Sequence, residues 1–183
     1  MKTKLVNKDI RENYTNELLM ERGLSPEELE YFLNVPDDSY LQEPEGLDYI
    51  DKANHMFDAM INLTNEDTIM VVVDSDVDGF TSAAIFIQYL RKFNNEVKVI
   101  PILHSGKGHG LSDTYEKITS LIDEGENLKF VVLPDAGSND FEYIEKLGDS
   151  YGVSCLILDH HIVEPDTHFS SYAVIVNNQL SPN

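Results

Sequence analysis

Three short segments hold the residues best suited to chemistry. They are Asp74-Ser-Asp76-Val-Asp78-Gly79, Asp135-Ala-Gly137 and Asp159-His160-His161. Three carboxylates as crowded as those of the first segment cannot all ionise comfortably without a cation nearby. Imidazoles beside carboxylates, as in the third, suit manganese, iron or zinc better than calcium or magnesium. Asp135 could supply a carboxylate bridging two ions. Two ions roughly 3.5–4 Å apart would activate a water and stabilise the leaving oxygen of a phosphodiester, so the implied chemistry is hydrolytic phosphoryl transfer. The Asp-x-Asp-x-Asp-Gly spacing also opens a calcium EF-hand loop, but position twelve of such a loop is Ile85 rather than a bidentate glutamate.

Each segment follows an apolar, β-branched run: IMVVV before Asp74, FVVLP before Asp135 and CLIL before Asp159. Buried parallel strands read this way, and functional groups of open α/β sheets gather at the strands' carboxyl ends. Strands are expected at Met70–Val73, Val97–Leu103, Phe130–Leu133, Val153–Leu158 and Tyr172–Val176. Helices are expected at Gly79–Phe93, with Ala83, Ala84, Phe86, Ile87 and Leu90 inward, at Ser112–Ile122 and at Phe141–Tyr151. This alternation predicts an α/β fold, a mostly parallel sheet of about five strands flanked by helices. The first sixty residues read instead as a helical N-terminal extension. Ser25-Pro26-Glu27-Glu28 is a helix start ahead of an apolar face at Leu29, Phe32 and Leu33. Val35–Tyr40 and Pro44-Glu45-Gly46 are breaks, and Tyr49 to Ile61 carries a packing stripe. The change of rhythm divides the chain into 1–66, the extension, and 67–183, the α/β domain.

The 33 acidic residues against 13 basic ones give a net charge of −20 over 183 residues. Such a surface repels phosphate backbones unless metal or a local basic patch intervenes, which counts against a nonspecific nucleic-acid binder. The single cysteine, Cys155, excludes an internal disulfide framework and reads as a small buried hydrophobe. The N-terminal residues lack the apolar core of a signal peptide, and no stretch approaches the ~18 apolar residues of a membrane span. A soluble, cytoplasmic protein without a membrane partner is expected. Between the second strand and its helix, His104-Ser-Gly106-Lys107-Gly108-His109-Gly110-Leu111-Ser112 is rich in glycine and histidine. Its functional reading is substrate contact, Lys107 against phosphate and His109 as acid or phosphate donor; its structural reading is a flexible connection. Ser82 lies in the first turn of the helix after Gly79. His55 and His168 fall outside these groups.

Together these elements resemble the DHH phosphoesterase superfamily, and within it the RecJ single-strand-specific exonucleases. Asp74-Ser-Asp-Val-Asp-Gly-Phe-Thr-Ser82 is similar to the first motif, Asp135-Ala-Gly137 with Asn139 to the third and Asp159-His-His161 to the fourth. Leu19 to Leu24, Phe32-Leu33-Asn34 and Leu41 to Pro44 are similar to the helical lead-in. The resemblance implies a two-manganese hydrolase, with magnesium as the alternative ion, degrading single-stranded DNA from the 5′ end in repair or recombination. Carried over by position, Asp76, Asp78, Asp135, His160 and His161 are metal ligands. Asp74 and Asp159 are ligands or carboxylates orienting them, and Ser82, Lys107 and His109 face the substrate.

Two departures qualify this. Gly108-His109-Gly110-Leu111 has His where the family's second motif has Tyr, and no arginine stands between Pro101 and Leu111. A further metal-binding aspartate and a second domain are expected beyond the histidine pair, from a separate polypeptide or a C-terminal portion. The rival readings are a non-catalytic DHH domain binding a DNA-replication or repair partner, and a phosphodiesterase for short oligonucleotides or cyclic dinucleotides.

Overall fold

Ser25 begins a helix because its side chain and that of Glu28 satisfy each other's backbone. Ser25 Oγ accepts from the Glu28 N–H at 3.2 Å, and Glu28 Oε2 accepts from the Ser25 N–H at 2.8 Å. The computed structural model describes residues 8–34, 43–104, 110–165 and 168–181. Contacts divide the chain into two compact units, Met1–Gln42 and Glu43–Asn183. In the first, α1 (Lys8–Glu21) is followed by α2 (Pro26–Leu33). Leu29 is buried, but Phe32 and Leu33 are exposed, which corrects the expected inward face of α2. The expected turn at Val35–Tyr40 lies outside the described residues.

The second unit opens with a 3-10 turn at Pro44–Gly46 and α3 (Ile50–Ile61). The contact boundary thus falls at residues 42 and 43, while the change of sequence rhythm falls near residue 66. Then come β1 (Thr68–Val73), α4 (Val77–Phe93), β2 (Lys98–Leu103), α5 (Tyr115–Asp123), β3 (Leu128–Pro134), α6 (Phe141–Tyr151), β4 (Ser154–Asp159) and β5 (Ala173–Asn177). The expected elements are all present, with ends shifted by at most three residues and the helix Phe141–Tyr151 unshifted. α4 starts two residues earlier than expected because Asp76 caps it.

All six residues of β1 are buried, so both faces of the strand must be covered. Ile69, Val71 and Val73 pack with Ala53 and Met60 of α3 and with Ala83, Phe86 and Leu90 of α4. Met70 and Val72 point the other way, into a cluster with Ile118 of α5 and Ile144 and Leu147 of α6. Each such side chain contributes about 1.5–3 kcal/mol on burial. Ala84 is exposed rather than inward: one residue past Ala83, it is rotated ~100° off the buried stripe.

The five strands are ordered β2-β1-β3-β4-β5, and every neighbouring pair is parallel. From β1 the chain moves outward to β2, then returns to the other side of β1 and continues through β3, β4 and β5. The direction of winding therefore reverses between β1 and β3. Loops leaving the two strands diverge there, and the crevice they leave at the carboxyl edge is where open α/β sheets bind ligands. Asp74 follows β1 and Asp135 follows β3, on the two sides of that crevice.

Candidate metal centre

Tight backbone contacts hold the first acidic segment. Asp74 is buried, and its Oδ1 accepts from the Ser75 N–H at 2.6 Å. Asp76 caps α4, its Oδ1 accepting from the Gly79 N–H at 3.1 Å. Gly79 is needed there because a Cβ would come within 2.5 Å of the Asp74 Cβ. Asp78, in the first turn of α4, points outward with about two thirds of its side chain exposed; its Oδ2 is 4.0 Å from His160 Nε2.

Asp135 emerges from β3 with φ 110°, a left-handed conformation that costs a non-glycine residue about 1–3 kcal/mol and recurs where function requires it. Its N–H donates to the Leu158 carbonyl at 2.7 Å, and Oδ1 lies 3.0 Å from His160 Nε2. Its Oδ2 is buried with no hydrogen-bond partner among the described residues. Burial, and then the charges of Asp78 and Asp76, push the Asp135 carboxyl above the usual range against the opposing pull of His160 and His161.

Asp159 does the opposite work. Its Oδ1 accepts from the backbone N–H groups of His160 at 2.7 Å and His161 at 3.0 Å and lies 2.8 Å from His161 Nδ1; Oδ2 accepts from the Ser138 N–H at 3.0 Å. Burial alone would raise this carboxyl, but the hydrogen bonds from His161 and Ser138 outweigh it and bring it down to about 2. A carboxylate so fully engaged orients other groups. Because it can only accept, His161 Nδ1 carries a proton, and in the neutral ring Nε2 keeps its lone pair for a metal. The same hydrogen bond raises the pKa of His161.

Two clusters of donor atoms result. Asp135, His160 and His161 form one, Asp74, Asp76 and Asp135 the other, each with donor atoms within 4.8 Å of one another. Asp135 belongs to both. An orphaned buried carboxylate oxygen and a mixed carboxylate–imidazole set fit divalent metal of the manganese type. Of the expected ligands, Asp76, Asp135, His160 and His161 come together. Asp78 joins neither cluster among the described residues, whereas Asp74 stands in the second. Ser82 donates to the Pro134 carbonyl at 2.7 Å, tying α4 to the end of β3. Lys107 and His109 lie outside the described residues.

Sequence reasoning passed over several supports. The side chain of His104, just past the end of β2, is fully buried. Its Nε2 is 2.9 Å from the Gly110 carbonyl, so that nitrogen donates, and its Nδ1 is 3.2 Å from Asp74 Oδ1 at ion-pair distance without hydrogen-bond alignment. Asp140 Oδ2 accepts from the Leu111 N–H at 2.7 Å, and burial raises its carboxyl. Asn177 donates to Ser138 Oγ at 2.9 Å and to the His161 carbonyl at 3.0 Å, binding the end of β5 to the histidine pair. The signal for His104 and Asn177 was position at or just past a strand end; Asp140 stands instead immediately before α6. We expect His104→Ala to weaken manganese binding about 10–100-fold, the usual cost of losing a group that orients a ligand, as measured by titration calorimetry. Cys155 is inert: burial pushes its thiol up to about 12.

A doubly wound parallel sheet carrying carboxylates and imidazoles at three strand ends defines an α/β domain with a candidate metal site. Residues 68–182 match the DHH family, N-terminal domain, and the chain belongs to that family. It is similar, at 37% identity over 91% of its length, to the protein of Bacillus subtilis (strain 168) provisionally named SPbeta prophage-derived single-strand DNA-specific exonuclease YorK. The counterpart from Bacillus phage SPbeta, provisionally named single-strand DNA-specific exonuclease, matches equally. The chain spans 26% of the length of these relatives. A crystal structure of the multiple substrate aminotransferase from Thermococcus profundus superposes on 69% of this chain and 34% of its own, with a TM-score of 0.45 at 16% identity, too low to inform function. Among the described residues, no helix is long and apolar enough to cross a membrane.

Proposed function

We propose that this chain is the N-terminal catalytic domain of a cytoplasmic, RecJ-like nuclease that hydrolyses single-stranded DNA from the 5′ end, in repair or recombination. Membership of the DHH family supports a phosphoesterase role, and the name of the Bacillus relative supports single-stranded DNA as substrate. The observation that carries the reading is the sharing of Asp135 between two donor clusters, as a carboxylate bridging two manganese or magnesium ions requires. When bound, such ions polarise the phosphate and lower the pKa of water.

The chain's own residues do the rest. The hydrogen bond to Asp159 fixes the tautomer of His161, and the backbone of the Asp159–His161 turn is held by the same carboxylate. The strained Asp135 backbone, braced by the Leu158 carbonyl, aims its side chain between the clusters. Lys107 and His109 remain proposed substrate contacts, and a further carboxylate from a C-terminal portion or a separate polypeptide remains part of the reading.

The test is hydrolysis of end-labelled single-stranded DNA with manganese. The expected result is cleavage that begins at the 5′ end and falls more than roughly 100-fold in Asp76→Ala and His160→Ala. Cleavage equal in parent and variants would refute the site. Equal rates on dinucleotides and long strands would favour an oligonucleotide phosphodiesterase over an exonuclease.

A further inference from the structure

One face of α4 carries Ser82, Ile85, Phe86 and Tyr89, spaced as a single stripe along the helix. With Leu47, Ile50, Leu158 and Val176 it walls a groove of about 600 Å³, within the range of sites that hold small organic ligands. The groove opens directly onto Asp135, Asp159 and His160. Phe86 is buried at the groove's floor, but Ile85 is 69% and Tyr89 50% exposed, so two apolar side chains of the stripe are left to solvent. The Tyr89 ring is itself backed by Phe57 and Phe93, with centroids at 5.3 and 5.2 Å.

We infer that this groove binds the unstacked base of the nucleotide whose phosphate lies over Asp135 and His160. The inference rests on the nucleic-acid reading above and adds where the strand is gripped. Two observations select a base as occupant. Among the described residues no lysine or arginine lines the groove, and the chain's charge of −20 makes a phosphate grip unfavourable there, whereas a base offers an apolar face. The groove is also continuous with the metal ligands. Ser82 stands at the end of β3, and Tyr89, seven residues further along α4, is roughly 10 Å from it, within the reach of one nucleotide. Stacking on an aromatic ring accepts any base. Among the groove's described residues Asn178 is the one side-chain amide, so little sequence discrimination follows.

The experiment is equilibrium binding of a fluorescent oligothymidylate to the full chain, with calcium present to hold back hydrolysis. Affinity is compared with that of the same strand bearing a single abasic residue at its end. Tyr89→Ala and Ile85→Ser should each weaken the intact strand roughly tenfold, Tyr89→Phe should retain it, and manganese affinity should stay unchanged in all three. Removing the base should cost the parent a similar factor and cost Tyr89→Ala almost nothing more. Parent-like binding by Tyr89→Ala and Ile85→Ser overturns the groove assignment and leaves the nuclease reading intact. Manganese binding without any affinity for single strands overturns the substrate reading and this one with it. A dimer that dissociates in Tyr89→Ala would make the face a contact between copies and overturn the proposal.

Discussion

Asp135→Asn should abolish metal-dependent hydrolysis and yet make the metal-free protein more stable. The two effects have one cause. Asp135 is the residue common to both donor clusters, so its loss weakens metal at each. The cost should exceed the roughly 10–100-fold that follows loss of a mere supporting partner. Without a cation, the same carboxylate is a liability. It is buried, faces the charges of Asp78 and Asp76, and leaves Oδ2 without a partner among the described residues. An amide removes the charge at the same volume, and asparagine tolerates positive φ better than most residues. We expect Tm to rise in chelator by roughly 2–4 °C, the shift that about 1 kcal/mol produces in a domain this size. The direction follows also from pH. A carboxyl whose folded pKa is raised binds protons more readily when folded, so its contribution to stability worsens as pH rises through the acid range. That penalty should be absent in Asp135→Asn. A Tm that falls in chelator, with manganese binding unchanged, would show that Asp135 is structural rather than a ligand.

Asp159→Ala should have the largest stability effect of any single substitution at the site. Its carboxylate is the acceptor for the N–H groups of Ser138, His160 and His161. Leaving the buried Ser138 N–H unsatisfied costs about 1–3 kcal/mol, and losing the part-buried, charge-assisted bonds from His160 and His161 adds about 1 kcal/mol or more, so a loss of about 3 kcal/mol is expected, a drop of roughly 6–12 °C in Tm. Metal affinity should fall as well, because His161 loses the acceptor that sets its tautomer. Acid titration gives a second check. The folded pKa is depressed to about 2, against about 3.9 in an unfolded chain. The stabilisation is therefore complete above about pH 4 and lost as pH falls towards 2, a span worth roughly 2–3 kcal/mol. In chelator, parent and variant should converge in stability by that amount across this window. Parallel curves would mean that Asp159 is not held as a carboxylate by these donors.

Much of the architecture is legible in the sequence itself. Uninterrupted apolar, β-branched runs identify strands covered on both faces, and the intervening helical spacing requires a mostly parallel sheet. An acid or imidazole directly after such a run stands at a strand's carboxyl end, which is why Asp74, Asp135 and the Asp159–His161 turn could be picked out. Local rules also carried the Ser25–Glu28 cap, since its partners are three residues apart.

Other features depend on contacts between residues far apart in the chain, which periodicity does not encode. The order β2-β1-β3-β4-β5 places Asp74 and Asp135 on two sides of one crevice, and this is a consequence of winding direction. Asp74 and Asp159 read alike in the sequence, but their surroundings differ in the fold: Asp159 accepts from Ser138 and His161, while Asp74 stands with Asp76 and Asp135. Asp78 looked equivalent to Asp76, but two residues around a helix turn swing it outward and leave Asp76 as the cap. His104 and Asn177 act through neighbours 30 and 39 residues away, Asp74 and Ser138. A strand end tells which residues reach the rim; only packing decides which of them face one another there.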